Sequence, residues 1–338
     1  MRSTFFLSVV TLFLVADLAA QRERRSGRGG GGDDSSVELA HFEFKKVDYS
    51  AFSLESLRSS YGIYLPKGYG DEANKDRRYP WVIWLHGMNG DYRRFHTGAA
   101  ATLDKLRGEG QIPEMIFVAA SGPRRTLYLN GESSGDVEDL IAFDLLEHVQ
   151  KNFRASNKRR DRAIMGVSIG ALGAMKIAFK YPEKFGTVAI HSGAMFPVDP
   201  DDLPAQLDRQ AQFMSRSIGF DEVLGNPIEP EKWMKEIPSA MLTKMKVGKL
   251  KGLRIFLDAG TDDRYGFAPL NIAFHEQLQE KKIAHSWELI EGGGHAWADR
   301  RFPERVARSL QFVGAGFSGQ GERGAEKSKK GGADKANR

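Results

Sequence analysis

From about Val37 to Gly316, short apolar runs alternate with segments whose apolar residues recur at helical spacing. YGIYLP (Tyr61–Pro66) predicts a strand ended by Pro66 and the turn KGYG. WVIWLHG (Trp81–Gly87) is continuously apolar and then stopped by glycine, as a parallel strand buried on both faces should be. GAAATLDKLRGEG predicts a helix with a glycine stop, and MIFVAAS a second buried strand. DVEDLIAFDLLEHVQKNF places Val137, Leu140, Ile141, Leu145 and Val149 on one helical face. RAIMG then predicts a strand, ALGAMKIAFKY a helix stopped by Pro182, and GTVAIHSG and LRIFLDAG two further strands. LNIAFHEQLQEKK predicts a helix, HSWELIEGGGH a strand entering a loop, and FPERVARSLQFVGAGF the closing helix. This alternation implies a mostly parallel sheet with helices on both faces. Sites in such sheets lie beyond the carboxyl ends of the strands. The residues to weigh are therefore His86-Gly87, Ser121, Ser168, His191, the acids from Asp258 to Asp263, and His295.

Charge changes the picture little. The formal net charge of the 338 residues is +5. Residues 318–338 hold six Lys/Arg against three Asp/Glu, residues 21–36 four against three, and residues 1–20 one of each. The region 37–317 is left with +1, so no basic groove and no nucleic-acid partner is expected. The absence of cysteine removes disulfides, cysteine-ligated zinc and thiol nucleophiles.

The ends read differently from the middle. Arg2 precedes an apolar run, Phe5–Val15, too short to span a bilayer, and Ala19-Ala20 precede Gln21. The expectation is an export signal over 1–20, so a periplasmic or secreted protein with no stable membrane anchor once the signal is cleaved. Residues 21–36 lack apolar side chains apart from glycine and predict a disordered linker. Residues 37–317 form the expected catalytic domain, and 318–338 a disordered basic tail. GRGGGG in the linker has no following Lys-Ser/Thr and is no phosphate loop. The stretch from Met195 to Lys251, with Trp233, Met234, Met241 and Met245, is either a helical cap over a site or core packing.

Gly166-Val167-Ser168-Ile169-Gly170 stands between a predicted strand and a predicted helix. A tight turn there exposes the serine at the top of the sheet, and glycines on either side let neighbouring backbone approach. The helix amino terminus at Ile169 favours developing negative charge. A nucleophilic serine needs a base and an orienting acid, and in α/β-hydrolases they follow it as acid, then histidine. The acid candidates are Asp258, within the end of an apolar run, and Asp262 and Asp263 in the loop GTDDRYG. His295 lies in the glycine-rich loop EGGGHAW, whereas His275 falls in a helix, His285 at a strand start, and His191 before the acids. Ser168, Asp263 and His295 form a set in hydrolase order, with Asp262 the rival acid. Two oxyanion donors are expected: the N–H of Ile169, and one from the Gly87-Met88 loop, oriented by His86.

These motifs together resemble the Putative esterase family of α/β-hydrolases, which includes esterase D, feruloyl and acetylxylan esterases, and the mycolyltransferases. YGIYLPKGYG resembles its entry strand, YPWVIWLHGMNG its oxyanion strand and loop, and DRAIMGVSIGALGAMKIAFKYPEKFGTVAIHSGA its nucleophile region. IFLDAGTDDRYG resembles its acid loop, where the acid is the fourth position of Gly-Thr-x-Asp, here Asp263; EGGGHAWADR resembles its histidine loop. Ala171 stands where the family often has a second glycine. The resemblance implies an α/β-hydrolase fold and a serine carboxylesterase that works through an acyl-enzyme without metal or cofactor. With the export signal, it points to acyl groups on a small-molecule or polysaccharide ester. The alternatives are acyl transfer to a carbohydrate acceptor and a non-catalytic, carbohydrate-binding relic of the fold.

Overall fold

The computed structural model describes residues 37–54, 58–122, 127–131, 135–203 and 220–317. The expected signal at 1–20, linker at 21–36 and tail at 318–338 lie outside them. Eight strands build the main sheet: β1 (Phe42–Ser50), β2 (Arg58–Pro66), β3 (Trp81–Leu85), β4 (Ile116–Ala120), β5 (Arg162–Val167), β6 (Thr187–His191), β7 (Arg254–Gly260) and β8 (Ser286–Ile290). Their spatial order is β1-β2-β4-β3-β5-β6-β7-β8. The pairs β1/β2 and β2/β4 are antiparallel, and every later neighbour pair is parallel. Every residue of β3, β4, β5 and β6 is buried, which is why these strands read as unbroken apolar runs.

The helices are α1 (Tyr92–Gly108), α2 (Leu146–Asn152), α3 (Ile169–Lys180), α4 (Phe220–Leu224), α5 (Pro230–Glu236), α6 (Pro238–Lys244), α7 (Phe267–Glu280) and α8 (Phe302–Phe317). Helix α3 leaves β5 directly and is buried along almost its whole length, from Ile169 to Phe179. Helix α8 turns one apolar stripe inward, Phe302, Val306, Leu310 and Val313. Among the described residues no helix is long and apolar enough to cross a membrane.

Three elements depart from the pattern expected. Strand β1 was not foreseen, because its alternation of Phe42, Phe44, Val47 and Tyr49 slips phase at Lys45-Lys46. Helix α1 starts six residues before the expected Gly98, capped by the Asp91 carboxylate, which accepts from the Arg93 N–H. The helix expected from Val137 is interrupted by a π-helical turn, Leu140–Leu145, before α2. Within the stretch 195–251, Trp233 of α5 is fully buried, and its indole N–H donates to the Pro197 carbonyl at 3.1 Å. Met234, Met241 and Met245 are part-buried against the core.

Candidate active site

The turn between β5 and α3 is set by what its glycines avoid. A Cβ on Gly166 would fall 2.1 Å from the Gly170 carbonyl oxygen, and one on Gly170 would fall 2.3 Å from that of Leu85. The end of β3 therefore sits directly against the start of α3. Ser168, between them, has φ 58° and ψ −120°. A non-glycine residue in this region costs about 1–3 kcal/mol, so the surroundings must hold it. Its N–H donates to the His191 carbonyl (2.9 Å), and its carbonyl accepts from Ala171 (3.1 Å) and Ala194 (3.2 Å).

Two loops bring the other residues to this turn. The loop after β7 and the loop after β8 are joined backbone to backbone: Thr261 N–H donates to the Ile290 carbonyl at 3.0 Å and Asp262 N–H to the Gly293 carbonyl at 2.8 Å. A Cβ on Gly260 would lie 2.1 Å from the Gly293 oxygen, so the absence of a side chain at Gly260 permits this contact. Asp263 and His295 are thereby set side by side. His295 Nδ1 donates to Asp263 Oδ2 at 2.7 Å, and the Ser168 hydroxyl lies 3.0 Å from His295 Nε2. With Nδ1 protonated toward the carboxylate, Nε2 is left to accept from the serine. The other Asp263 oxygen accepts from the Tyr265 N–H at 2.9 Å. The rings of Tyr265 and Phe267 meet His295 edge-on at 4.6 and 5.5 Å. Asp263 is fully enclosed at its side chain, whereas Asp262 is exposed and its carboxylate accepts from Thr261 Oγ1.

Around the serine, Ile169 opens α3, so its N–H has no partner within the helix. Gly87 lies on the other side: a Cβ there would fall 3.3 Å from the Ser168 Cβ. Met88 is part-buried, and Gly90 N–H donates to the Gly87 carbonyl at 3.0 Å to close the turn. His86 Nδ1 donates to the same Gly87 carbonyl at 2.7 Å. Ser121 is elsewhere, accepting from the Tyr92 N–H. His275 and His285 pair with each other at 2.7 Å on the surface side of α7.

Asp258 and His191 are not in this group. They form a separate buried line in which His191 Nδ1 meets Asp258 Oδ2 at 2.7 Å and His191 Nε2 meets Ser309 Oγ at 2.9 Å. The Ser309 hydroxyl donates to the Val306 carbonyl at 2.9 Å, and all three residues are shut off from solvent. Arg305, equally buried, pairs with Asp258, donates to Ser192 Oγ at 2.8 Å and reaches the Gly294 carbonyl at 3.0 Å. It also lies 3.5 Å from the Asp299 carboxylate, which accepts from the Gly294 N–H. One guanidinium thus clasps both ends of the six-residue loop that carries His295. Burial pushes the Asp258 carboxyl up, but the charges of His191 and Arg305 prevail and bring it down to about 2. Sequence reasoning missed Arg305, although Phe302, Arg305, Val306, Ser309 and Leu310 share one helix face. An arginine on an apolar stripe was the available sign of a buried partner.

A second missed set braces the other side. The Tyr128 hydroxyl, buried, donates to the His86 carbonyl at 2.9 Å. Lys176 of α3 donates to the Tyr128 carbonyl and lies 2.6 Å from Glu138 and 3.1 Å from Glu236. Burial raises the Glu138 carboxyl, yet Lys176 and Lys180 together hold it below its ordinary value.

Comparisons with known proteins agree with this architecture. Part of the endo-1,4-beta-xylanase/feruloyl esterase of Xylanibacter ruminicola is 26% identical over 165 residues, covering 47% of this chain and 23% of that protein. An esterase of Mycobacterium tuberculosis is 28% identical over 248 residues, 66% of this chain and 50% of the relative. The chain thus spans half or less of these relatives' lengths. A solved ferulic acid esterase superposes with a TM-score of 0.64 at 20% identity, covering 83% of this chain and 100% of the other, and shows the α/β-hydrolase fold. The family described as Putative esterase matches residues 58–311, and the chain belongs to it.

Proposed function

We propose that the protein is an exported serine carboxylesterase that hydrolyses carboxylic esters through an acyl-enzyme. The observation that carries the reading is the hydrogen-bonded line from Ser168 through His295 to Asp263, in a solvent-reachable turn. His295 Nε2 takes the serine proton as Oγ attacks the ester carbonyl. Asp263 keeps Nδ1 protonated and stabilises the imidazolium that forms. The N–H groups of Ile169 and of the Gly87-Met88 turn hold the oxyanion, helped by the dipole of α3. His295 then protonates the departing alcohol, and a water activated by the same base releases the acid. Acyl groups on polysaccharide are the proposed substrate, supported by the likeness to a protein named for xylanase and feruloyl esterase activities. Export rests on the amino-terminal pattern of Arg2, Phe5–Val15 and Ala19-Ala20.

The test is Ser168→Ala in the purified protein. Hydrolysis of p-nitrophenyl acetate falls by about 10,000-fold or more, and a fluorophosphonate probe that labels the wild type no longer labels the variant. Unchanged hydrolysis in Ser168→Ala would falsify the assignment of the nucleophile.

A further inference from the structure

A cavity of about 270 Å³ opens beside the His295 loop, between the first turns of α1 and the start of α8. Its walls include Arg94, Gly98, Trp297, Asp299, Arg300 and Phe302. Arg94 and Gly98 are four residues apart on α1 and so face the same way. Gly98 seats the indole: a Cβ there would fall 2.4 Å from Cζ3 of Trp297. Phe302 meets the same indole edge-on at 4.6 Å, which fixes a half-buried aromatic wall two residues beyond His295.

The charge of the cavity is decided by which groups are already paired. Arg93 pairs with Asp91, and Arg301 with Asp299 and the Glu291 carbonyl. The Asp299 carboxylate is nearly enclosed and already engaged by Gly294 N–H, Arg301 N–H and Arg305. Arg94 and Arg300 are exposed and make no ion pair among the described residues. The cavity is therefore lined by two arginines that make no ion pair among the described residues and by an aromatic surface, with its one carboxylate already engaged by Arg305 and backbone N–H groups. Guanidinium matches a carboxylate in a planar two-point contact. An indole offers an apolar wall to the C–H face of a pyranose ring. The volume suits one monosaccharide unit rather than a polymer segment.

Building on the esterase reading above, we infer that this cavity is a subsite for a uronic-acid residue of the acylated polysaccharide. Arg94 and Arg300 bind its carboxylate, and Trp297 flanks its ring. The subsite favours esters carried near an acidic sugar.

The experiment compares one acylated xylo-oligosaccharide with and without a glucuronic-acid branch. The wild type hydrolyses the acidic form with a kcat/KM about tenfold higher, mainly through KM, and 0.5 M NaCl erases most of that advantage. The Arg94→Gln/Arg300→Gln double variant loses the preference while its p-nitrophenyl acetate turnover stays at the wild-type level. Equal kcat/KM for the two forms, or a preference that survives in the double variant, overturns the inference and leaves the esterase reading standing. If no ester is hydrolysed at all, calorimetry with glucuronoxylo-oligosaccharide and its neutral counterpart on the Ser168→Ala protein decides separately. Tighter binding of the acidic ligand that needs both arginines supports the subsite, and its absence refutes it.

Discussion

Replacing Arg305 with methionine keeps a long unbranched side chain and removes only the guanidinium. Four contacts are lost: with Asp258, with Ser192 Oγ, with the Gly294 carbonyl and with the Asp299 carboxylate. Removing one partner of a buried ion pair costs about 3–5 kcal/mol, chiefly because the other charge is left without compensation. Asp258 keeps its contact with His191, so the lower end, about 3 kcal/mol, applies. For a domain of this size each kcal/mol lowers Tm by about 2–4 °C, so the variant melts about 6–12 °C below wild type. The assay is thermal unfolding followed by circular dichroism, run beside Asp258→Asn and the double variant. Because the two side chains touch, the double variant loses less than the sum of the singles by about 1–3 kcal/mol. Activity measured well below the melting range gives a second readout: kcat falls while KM changes little, since the loop carrying His295 is no longer clasped. An Arg305→Met protein that melts within 2 °C of wild type, or strictly additive singles, refutes the argument.

Two other outcomes follow from the same geometry. Asp263→Asn lowers kcat toward p-nitrophenyl acetate by about 10,000-fold, through the wrong imidazole tautomer; Asp262→Asn, on an exposed residue, leaves it within about twofold, and the reverse ranking would show that the acid had been misassigned. Asp258 has a folded-state pKa of about 2 against an ordinary 3.8, so its contribution, roughly 2 kcal/mol, is present above pH 4 and lost as pH falls through 3.8 toward 2. Urea unfolding at pH 5 and pH 2.5 shows this loss in wild type and a smaller one in Asp258→Asn; equal acid losses in both would contradict it.

The fold was legible wherever burial on both faces wrote a continuous apolar run, as in Trp81–Leu85 and Arg162–Val167. It was illegible at β1, which lies at the edge of the sheet and whose two lysines break the alternation. Ser168, Asp263 and His295 stood out because each ends an apolar strand run in a loop rich in glycine, a local signal. The choice between Asp262 and Asp263 was not local. It depends on the Asp262 N–H being drawn to the Gly293 carbonyl, which turns its side chain out and the next one in. Arg305 and Tyr128 escaped for the same reason: their partners, Asp258, Gly294 and His86, are joined to them only by the folded sheet.

Among the described residues, two lines of serine, histidine and aspartate have nearly equal spacings, 3.0 and 2.7 Å in one, 2.9 and 2.7 Å in the other. A search by atomic template would return both. They differ in where the serine proton goes and in whether anything can arrive: Ser309 spends its hydrogen on its own helix and meets no solvent, while Ser168 is perched on a strained turn in reach of it. Under the proposed function, access and strain rather than the three residue types set the reactive serine apart. Grafting such a set into a scaffold by distance alone would reproduce the enclosed arrangement as readily as the accessible one.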